Sequence, residues 1–199
     1  MRIAVDMDGT IYCWQRTVCY MMREYRGATI PAGLEWWTSW DSHKEFTTSD
    51  DNKWLWKEGV ELGLFRYGHM VKGARRGLEA LRDDGHTFII ATSRPENATS
   101  DTIDWLSLYF KGIPLAGIVI GNEPKRTIKA DLLIDDRVEN VVDWKAGRPA
   151  ILFDQPWNRE APDSIGVHRA KGWGETIAKV REVEAGIEAK KLTYQKLGR

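Results

Sequence analysis

Four clusters along the chain carry residue types that together could move a phosphoryl group. They are Asp6-Met7-Asp8-Gly9-Thr10, then Thr92-Ser93-Arg94, then Lys125, then Asp135-Asp136. Carboxylates gathered in one cleft repel one another and call for a cation. A ligand set made only of oxygen suits Mg²⁺ rather than zinc. A carboxylate can also attack phosphorus and form an aspartyl-phosphate. Gly9 would let the chain turn so that Asp8 faces the same way as Asp6. The hydroxyls of Thr92 and Ser93 can hold phosphate oxygens, and Lys125 can add positive charge where the transition state spreads negative charge. Taken singly, each cluster is ordinary: Asp-x-Asp and Thr-Ser serve as turns or caps, and Asp135-Asp136-Arg137 could cap a helix. Their order along the chain, with each one beside an apolar run, is what points to a site.

Those apolar runs predict the elements that hold the clusters. Arg2 to Val5, Thr87 to Ala91, Leu132 to Ile134 and Ala150 to Phe153 read as buried parallel strands, with Gly117 to Ile120 as a fifth. Between them, Gly73 to Arg82, Ser100 to Phe110 and Val138 to Lys145 place apolar residues at helical spacing. This alternation predicts an α/β protein, a doubly wound parallel sheet of Rossmann type. In such sheets ligands bind beyond the carboxyl ends of the strands, where all four clusters would meet. From Trp14 to His69 the pattern breaks. That segment holds Trp14, Trp36, Trp37, Trp40, Trp54 and Trp56, with helix signals at Val18 to Tyr25 and Asp50 to Gly59 but no buried strand. It reads as a small helical cap, residues 14–69, inserted into a core of residues 1–13 and 70–199. From Gly174, Ile177, Val180, Val183 and Ile187 mark one amphipathic helix lying on that core.

Composition limits the alternatives. The 199 residues carry 29 Lys+Arg against 29 Asp+Glu. A neutral chain is a poor partner for long nucleic acid, which needs a basic face. No apolar run approaches the roughly 20 residues of a membrane span. The opening Met1-Arg2-Ile3-Ala4-Val5-Asp6 has no signal-peptide pattern, so the expected location is the cytoplasm. Cys13 and Cys19 read as reduced packing thiols.

The four clusters resemble, in order, the motifs of the haloacid dehalogenase (HAD) superfamily of phosphatases. More narrowly the chain is similar to the 5′(3′)-deoxyribonucleotidases. That likeness rests on Ala91-Thr92-Ser93, on Asp131-Leu132-Leu133-Ile134-Asp135-Asp136-Arg137, and on Lys125 ten residues before Asp135. The resemblance implies a Mg²⁺-dependent phosphomonoesterase hydrolysing deoxynucleoside monophosphates through an aspartyl-phosphate, and it suggests a homodimer. It implies Asp6 as nucleophile and metal ligand. Asp8 would be general acid and then general base, lending its backbone carbonyl to the metal. Thr92 and Ser93 would hold phosphate, and Lys125 would neutralise Asp6 and the phosphoryl oxygens. Asp136 would ligate the metal, with Asp135 supporting the lysine or a metal-bound water. Lys129, the competing lysine, would lie near a strand start away from the cleft. In the deoxyribonucleotidases an aromatic residue at the spacing of Trp14 stacks on the base. Here Trp36 and Trp37 would be the later aromatic pair lining the slot, and Phe65 would close it. Other readings stay open: a phosphatase for another small phosphate or a nucleic-acid 3′-phosphate, or a binding module without catalysis.

Overall fold

The computed structural model describes residues 1–144, 147–161 and 167–196. Six parallel strands form one sheet in the order β3-β2-β1-β4-β5-β6. They are β1 (Arg2–Val5), β2 (Thr87–Thr92), β3 (Leu115–Ile120), β4 (Leu132–Asp135), β5 (Ala150–Phe153) and β6 (Val167–Ala170). The chain starts in mid-sheet at β1, builds outward to β3, then crosses back to β4 and builds to the other edge. The strand order therefore reverses beside β1, and at such a switch point the loops diverge and leave a crevice.

Alternate residues of the buried strands feed two apolar layers. Ile3, Val5, Ile90, Leu132 and Ile134 face α1 (Trp14–Arg26), α4 (Ala74–Asp83), α5 (Thr99–Tyr109) and α7 (Trp173–Lys196). Ala4, Ile89, Ala91 and Leu133 face Val141 and Trp144 of α6 (Val138–Trp144). Lys145, expected to end α6, lies outside the described residues. Covering a sheet on both faces removes the need for polar alternation. β3 departs from this. It begins two residues earlier than its apolar run suggests and lies at an edge, with Leu115 and Ile118 partly exposed. β6 carries His168 and Arg169 within four residues, so it gives no apolar signal and goes unpredicted.

α7 does more than cover the sheet. Its first residue, Trp173, packs into α4 at Gly77, where any Cβ would meet the indole ring at 2.3 Å. The same indole N–H donates to the carbonyl of Thr10 at 3.0 Å. The C-terminal helix thereby props the loop that follows β1.

The insertion leaves and rejoins the core at adjacent points. The Cys13 amide donates to His69 and the Val71 amide to Ile11. Within it lie α1, α2 (Ser49–Trp56) and α3 (Glu58–Glu61). α2 opens on a capping box between Thr48 and Asp51, and Arg26 of α1 reaches Asp51 at 2.7 Å. Between α1 and α2 the chain runs through turns and a short 3₁₀ segment, so the cap is less helical than its sequence suggests. Cys13 and Cys19 are both free thiols. Among the described residues, no helix is long and apolar enough to cross a membrane.

Candidate active site

Parallel pairing sets the site. Val5 pairs with Ile90 on one side and Ile134 on the other, so Asp6, Asp135 and Thr92 emerge together at the carboxyl edge. Asp135 accepts the Arg137 amide at 2.8 Å and the Asn140 side-chain amide at 3.1 Å. The Lys125 ammonium donates to Asp135 at 2.6 Å and also to Asp6. Lys125 thus reaches both carboxylates from the loop before β4. Lys129, by contrast, accepts from Arg2 through its carbonyl, at the opposite end of the strands.

Asp136 accepts the Trp157 indole N–H at 3.0 Å, and its carbonyl accepts Asn158 at 2.8 Å. Gly9 lies against this pair with φ +89. A Cβ there would fall 2.3 Å from an Asp136 carboxylate oxygen, so both backbone and space demand glycine. Asp6, Asp135 and Asp136 each offer an oxygen within 4.8 Å of the others, all buried.

The electrostatics follow from crowding. Burial pushes Asp6 up to about 7; the Lys125 ammonium opposes this, and the Asp135 carboxylate adds to it. Burial likewise raises Asp136 well above the usual carboxylate range, helped by repulsion from Asp6 and Asp135. For Lys125 burial works downward, but Asp135 and Asp6 outweigh it and hold the ammonium above its ordinary range. One lysine does not balance three buried carboxylates. An all-oxygen, net-negative, desolvated cluster is the donor set that a hard divalent cation such as Mg²⁺ requires, so the residues present fit that ion.

A cavity of about 520 Å³ opens above the cluster. That lies within the usual range for a small-molecule site. Asp6, Asp8, Thr92, Ser93, Asp135 and Asp136 line it from the core, and Trp14, Trp40, Trp56 and Phe65 line it from the cap. Trp14 stacks on Trp40 at 5.8 Å, on Trp56 at 5.5 Å and on Phe65 at 5.7 Å between ring centroids. As the hub of that stack its ring is only 1% exposed, whereas Trp40 is 38% and Trp56 44% exposed. The aromatic surface open to a ligand therefore belongs mainly to Trp40 and Trp56, with Trp14 behind them. Trp36 and Trp37 do not line the cavity. Trp37 is fully buried against His43, and Trp36 packs on Trp37 and Phe46. Trp37 points into the cap's own core, and Trp36 lies partly buried against it. Trp40 instead reaches the cavity, where it meets Trp157 of the core edge-on at 5.6 Å.

Sequence reading singled out neither Trp40 and Trp56 nor Trp157 for this wall. Tryptophan enrichment marked the segment, but no spacing rule separates wall from core there. It also left Arg94 without a role, although it stands directly after Thr92-Ser93 and binds Asp8.

Comparison with known proteins agrees with this geometry. A family model described as 5′ nucleotidase, deoxy (Pyrimidine), cytosolic type C protein matches residues 1–185. The chain belongs to this family. Its relatives include the 5′(3′)-deoxyribonucleotidase of Bacillus subtilis (strain 168) and that of Bacillus phage SPbeta. Each is 31% identical over 144 residues, covering 71% of this chain and 77% of the relative. Among solved structures, a haloacid dehalogenase-like family hydrolase from Xanthomonas campestris superposes with TM-score 0.56. It is 13% identical, with 94% of this chain and 96% of that one covered. YfnB of Bacillus subtilis, solved bound to magnesium, also gives 0.56 at 14% identity, covering 90% of this chain and 98% of its own. The nucleotidase-family chain therefore carries a HAD hydrolase fold.

Proposed function

We propose that this member of the nucleotidase family is a Mg²⁺-dependent phosphomonoesterase that hydrolyses deoxynucleoside monophosphates through an aspartyl-phosphate. One observation carries the reading: a single cavity joins a buried cluster of Asp6, Asp135, Asp136 and Lys125 to an aromatic wall of the cap. The first end suits a phosphate ester, the second a flat base.

In this reading an Asp6 oxygen attacks phosphorus and the bond from phosphorus to the sugar oxygen breaks. Asp8 gives that oxygen its proton. Water then attacks the phosphorus of the aspartyl-phosphate while Asp8 takes the water's proton, and Asp6 is restored as phosphate leaves. Thr92 and Ser93 donate to phosphoryl oxygens, and Lys125 faces Asp6 and the charge that builds beside it. Asp6, Asp136 and the Asp8 backbone carbonyl would hold Mg²⁺, with Asp135 in support. When bound, that ion supplies positive charge that favours ionised Asp6 and draws charge from the phosphoryl group. Trp40 and Trp56 would take the base, backed by Trp14 and Phe65. The matched family and the Bacillus relatives, named as deoxyribonucleotidases, point the same way.

The test is phosphate release from a panel of deoxynucleotides, ribonucleotides, sugar phosphates and 3′-phosphorylated oligonucleotides, with and without Mg²⁺. Deoxynucleotides should be cleaved fastest, and chelator should abolish turnover. Ca²⁺ should bind yet support little turnover, because its looser shell spoils in-line geometry. Preference for a base-free sugar phosphate would overturn the substrate assignment, and full activity in chelator would overturn the role of the carboxylate cluster.

A further inference from the structure

Arg94 is buried, 2% exposed, yet it is a charged residue two places beyond Thr92. Its guanidinium grips Asp8 with both arms of the fork: Nε donates to Oδ2 at 2.9 Å and Nη2 to Oδ1 at 2.7 Å. The third nitrogen, Nη1, donates to the carbonyl of Phe65 at 3.3 Å and to the Thr102 hydroxyl at 3.2 Å. The plane of the group lies against two rings, with Cζ 4.3 Å from the centre of Tyr12 and 4.7 Å from that of Phe65. Tyr12 is itself fixed, its hydroxyl donating to Leu64 and accepting from the Gly68 amide.

A bidentate pair sets the plane of a carboxylate, which a single hydrogen bond does not. Each carboxylate oxygen has two lone pairs, and the fork takes one from each. The others stay available on a group that lines the cavity. By contrast Asp6, Asp135 and Asp136 find their partners in Lys125, Arg137, Asn140 and Trp157 and make no contact with Arg94. The two carboxylates of Asp-x-Asp are thus held by separate devices. The device for Asp8 is anchored on Phe65, a residue of the cap wall.

We propose that Arg94 is the positioning residue for Asp8, and that it aims this carboxylate from the returning chain of the cap. The inference rests on the proton-transfer role proposed above for Asp8. It gives Arg94 no part in the attack by Asp6. Loss of the fork should therefore hurt only the steps in which Asp8 moves a proton. Misplacing a reacting group by about 1 Å can cost on the order of 10²-fold.

The experiment compares first-turnover release of three leaving groups: deoxynucleoside, glycerol and p-nitrophenolate, from their phosphate monoesters with Mg²⁺. In Arg94→Gln the first two should slow by about 10²-fold. The p-nitrophenolate burst, which needs no proton, should stay within about threefold, followed by a slow steady state as phosphoenzyme waits for its water. In an Asp8→Asn background the same substitution should add less than about threefold, because the two residues act as a unit. That double variant pairs two neutral side chains and leaves no buried charge unmatched. Arg94→Lys keeps the charge but loses the fork, and should show the same leaving-group selectivity at about 10-fold. Equal slowing of all three leaving groups, additive losses in the double variant, or an unchanged Arg94→Gln enzyme would each overturn the proposal. A wild type that releases glycerol and p-nitrophenolate but no nucleoside would overturn the nucleotide assignment alone, leaving Arg94 to be judged on glycerol phosphate. A wild type inert toward every ester would sink both.

Discussion

Core and cap face each other across one cavity, and they place their side chains by different means. In the core, Asp6, Thr92 and Asp135 each lie within one residue of the carboxyl end of a strand. Parallel hydrogen-bond ladders fix those ends relative to one another, so the order of motifs in sequence becomes a fixed constellation in space. In the cap, Trp14 opens a helix, Trp56 ends one, Trp40 sits in a turn and Phe65 lies in the returning segment. Stacking of Trp14 on Trp40, Trp56 and Phe65 joins these four. A ladder tolerates little change, whereas an aromatic cluster can be rebuilt with other rings at other positions. On the function proposed above, chemistry falls to the ladder and substrate choice to the cluster, a division that experiment can break.

The largest effect should come from the ladder. Asp6→Asn should lower kcat by about 10³-fold or more, with the circular dichroism spectrum unchanged, since the shapes match and Lys125 keeps Asp135. Turnover above a tenth of wild type, with deamidation excluded, would break the assignment. Asp8→Asn should cost about 10²–10⁴-fold on nucleotides, and far less in the first release of p-nitrophenolate.

The wall should act on binding instead. Base–aromatic stacking is worth about 1–3 kcal/mol, so Trp40→Ala should raise KM for a deoxynucleotide by roughly 5- to 150-fold. Hydrolysis of glycerol phosphate should hardly change. A loss shared by both substrates would make Trp40 a packing residue and erase the division between core and cap.

The cluster's charge gives a third, smaller effect. In the metal-free protein Asp6 keeps its proton up to about pH 7, because burial raises it. Below that pH Mg²⁺ must displace the proton. Its apparent Kd should then weaken by up to about 10-fold per pH unit for each proton displaced. Tryptophan fluorescence should report this binding, since the Trp157 indole bonds Asp136. A Kd constant from pH 5.5 to 8 would refute it.

The smallest kinetic effect sharpens the boundary inside the cap. Trp37→Ala should destabilise the fold by about 3–5 kcal/mol, as for a buried aromatic truncation, and leave KM within about twofold in the folded fraction. Thermal melts beside KM measurements separate this from Trp40→Ala. A large KM change with an unaltered melt would return Trp37 to the substrate slot.

The sequence by itself was enough for five of the six strands and for the polar residues that follow β1, β2 and β4. Apolar runs such as Thr87 to Ala91 and Leu132 to Ile134 announce buried strands, and polar residues that follow them have one place to go. β6 escaped because a four-residue edge strand containing His168 and Arg169 has no apolar period to read. Tertiary structure alone decided the rest. Trp36, Trp37 and Trp40 lie within five residues of one another, yet Trp37 enters the cap core and Trp40 the cavity. Their directions depend on turns between α1 and α2 and on partners such as His43 and Trp157, none of which leaves a periodic trace. Arg94 was visible as a letter, but its pairing spans 86 residues to Asp8 and depends on a bed made by Tyr12 and Phe65. Local pattern encodes what backbone hydrogen bonding repeats, and contacts between distant side chains exist only once the chain has folded.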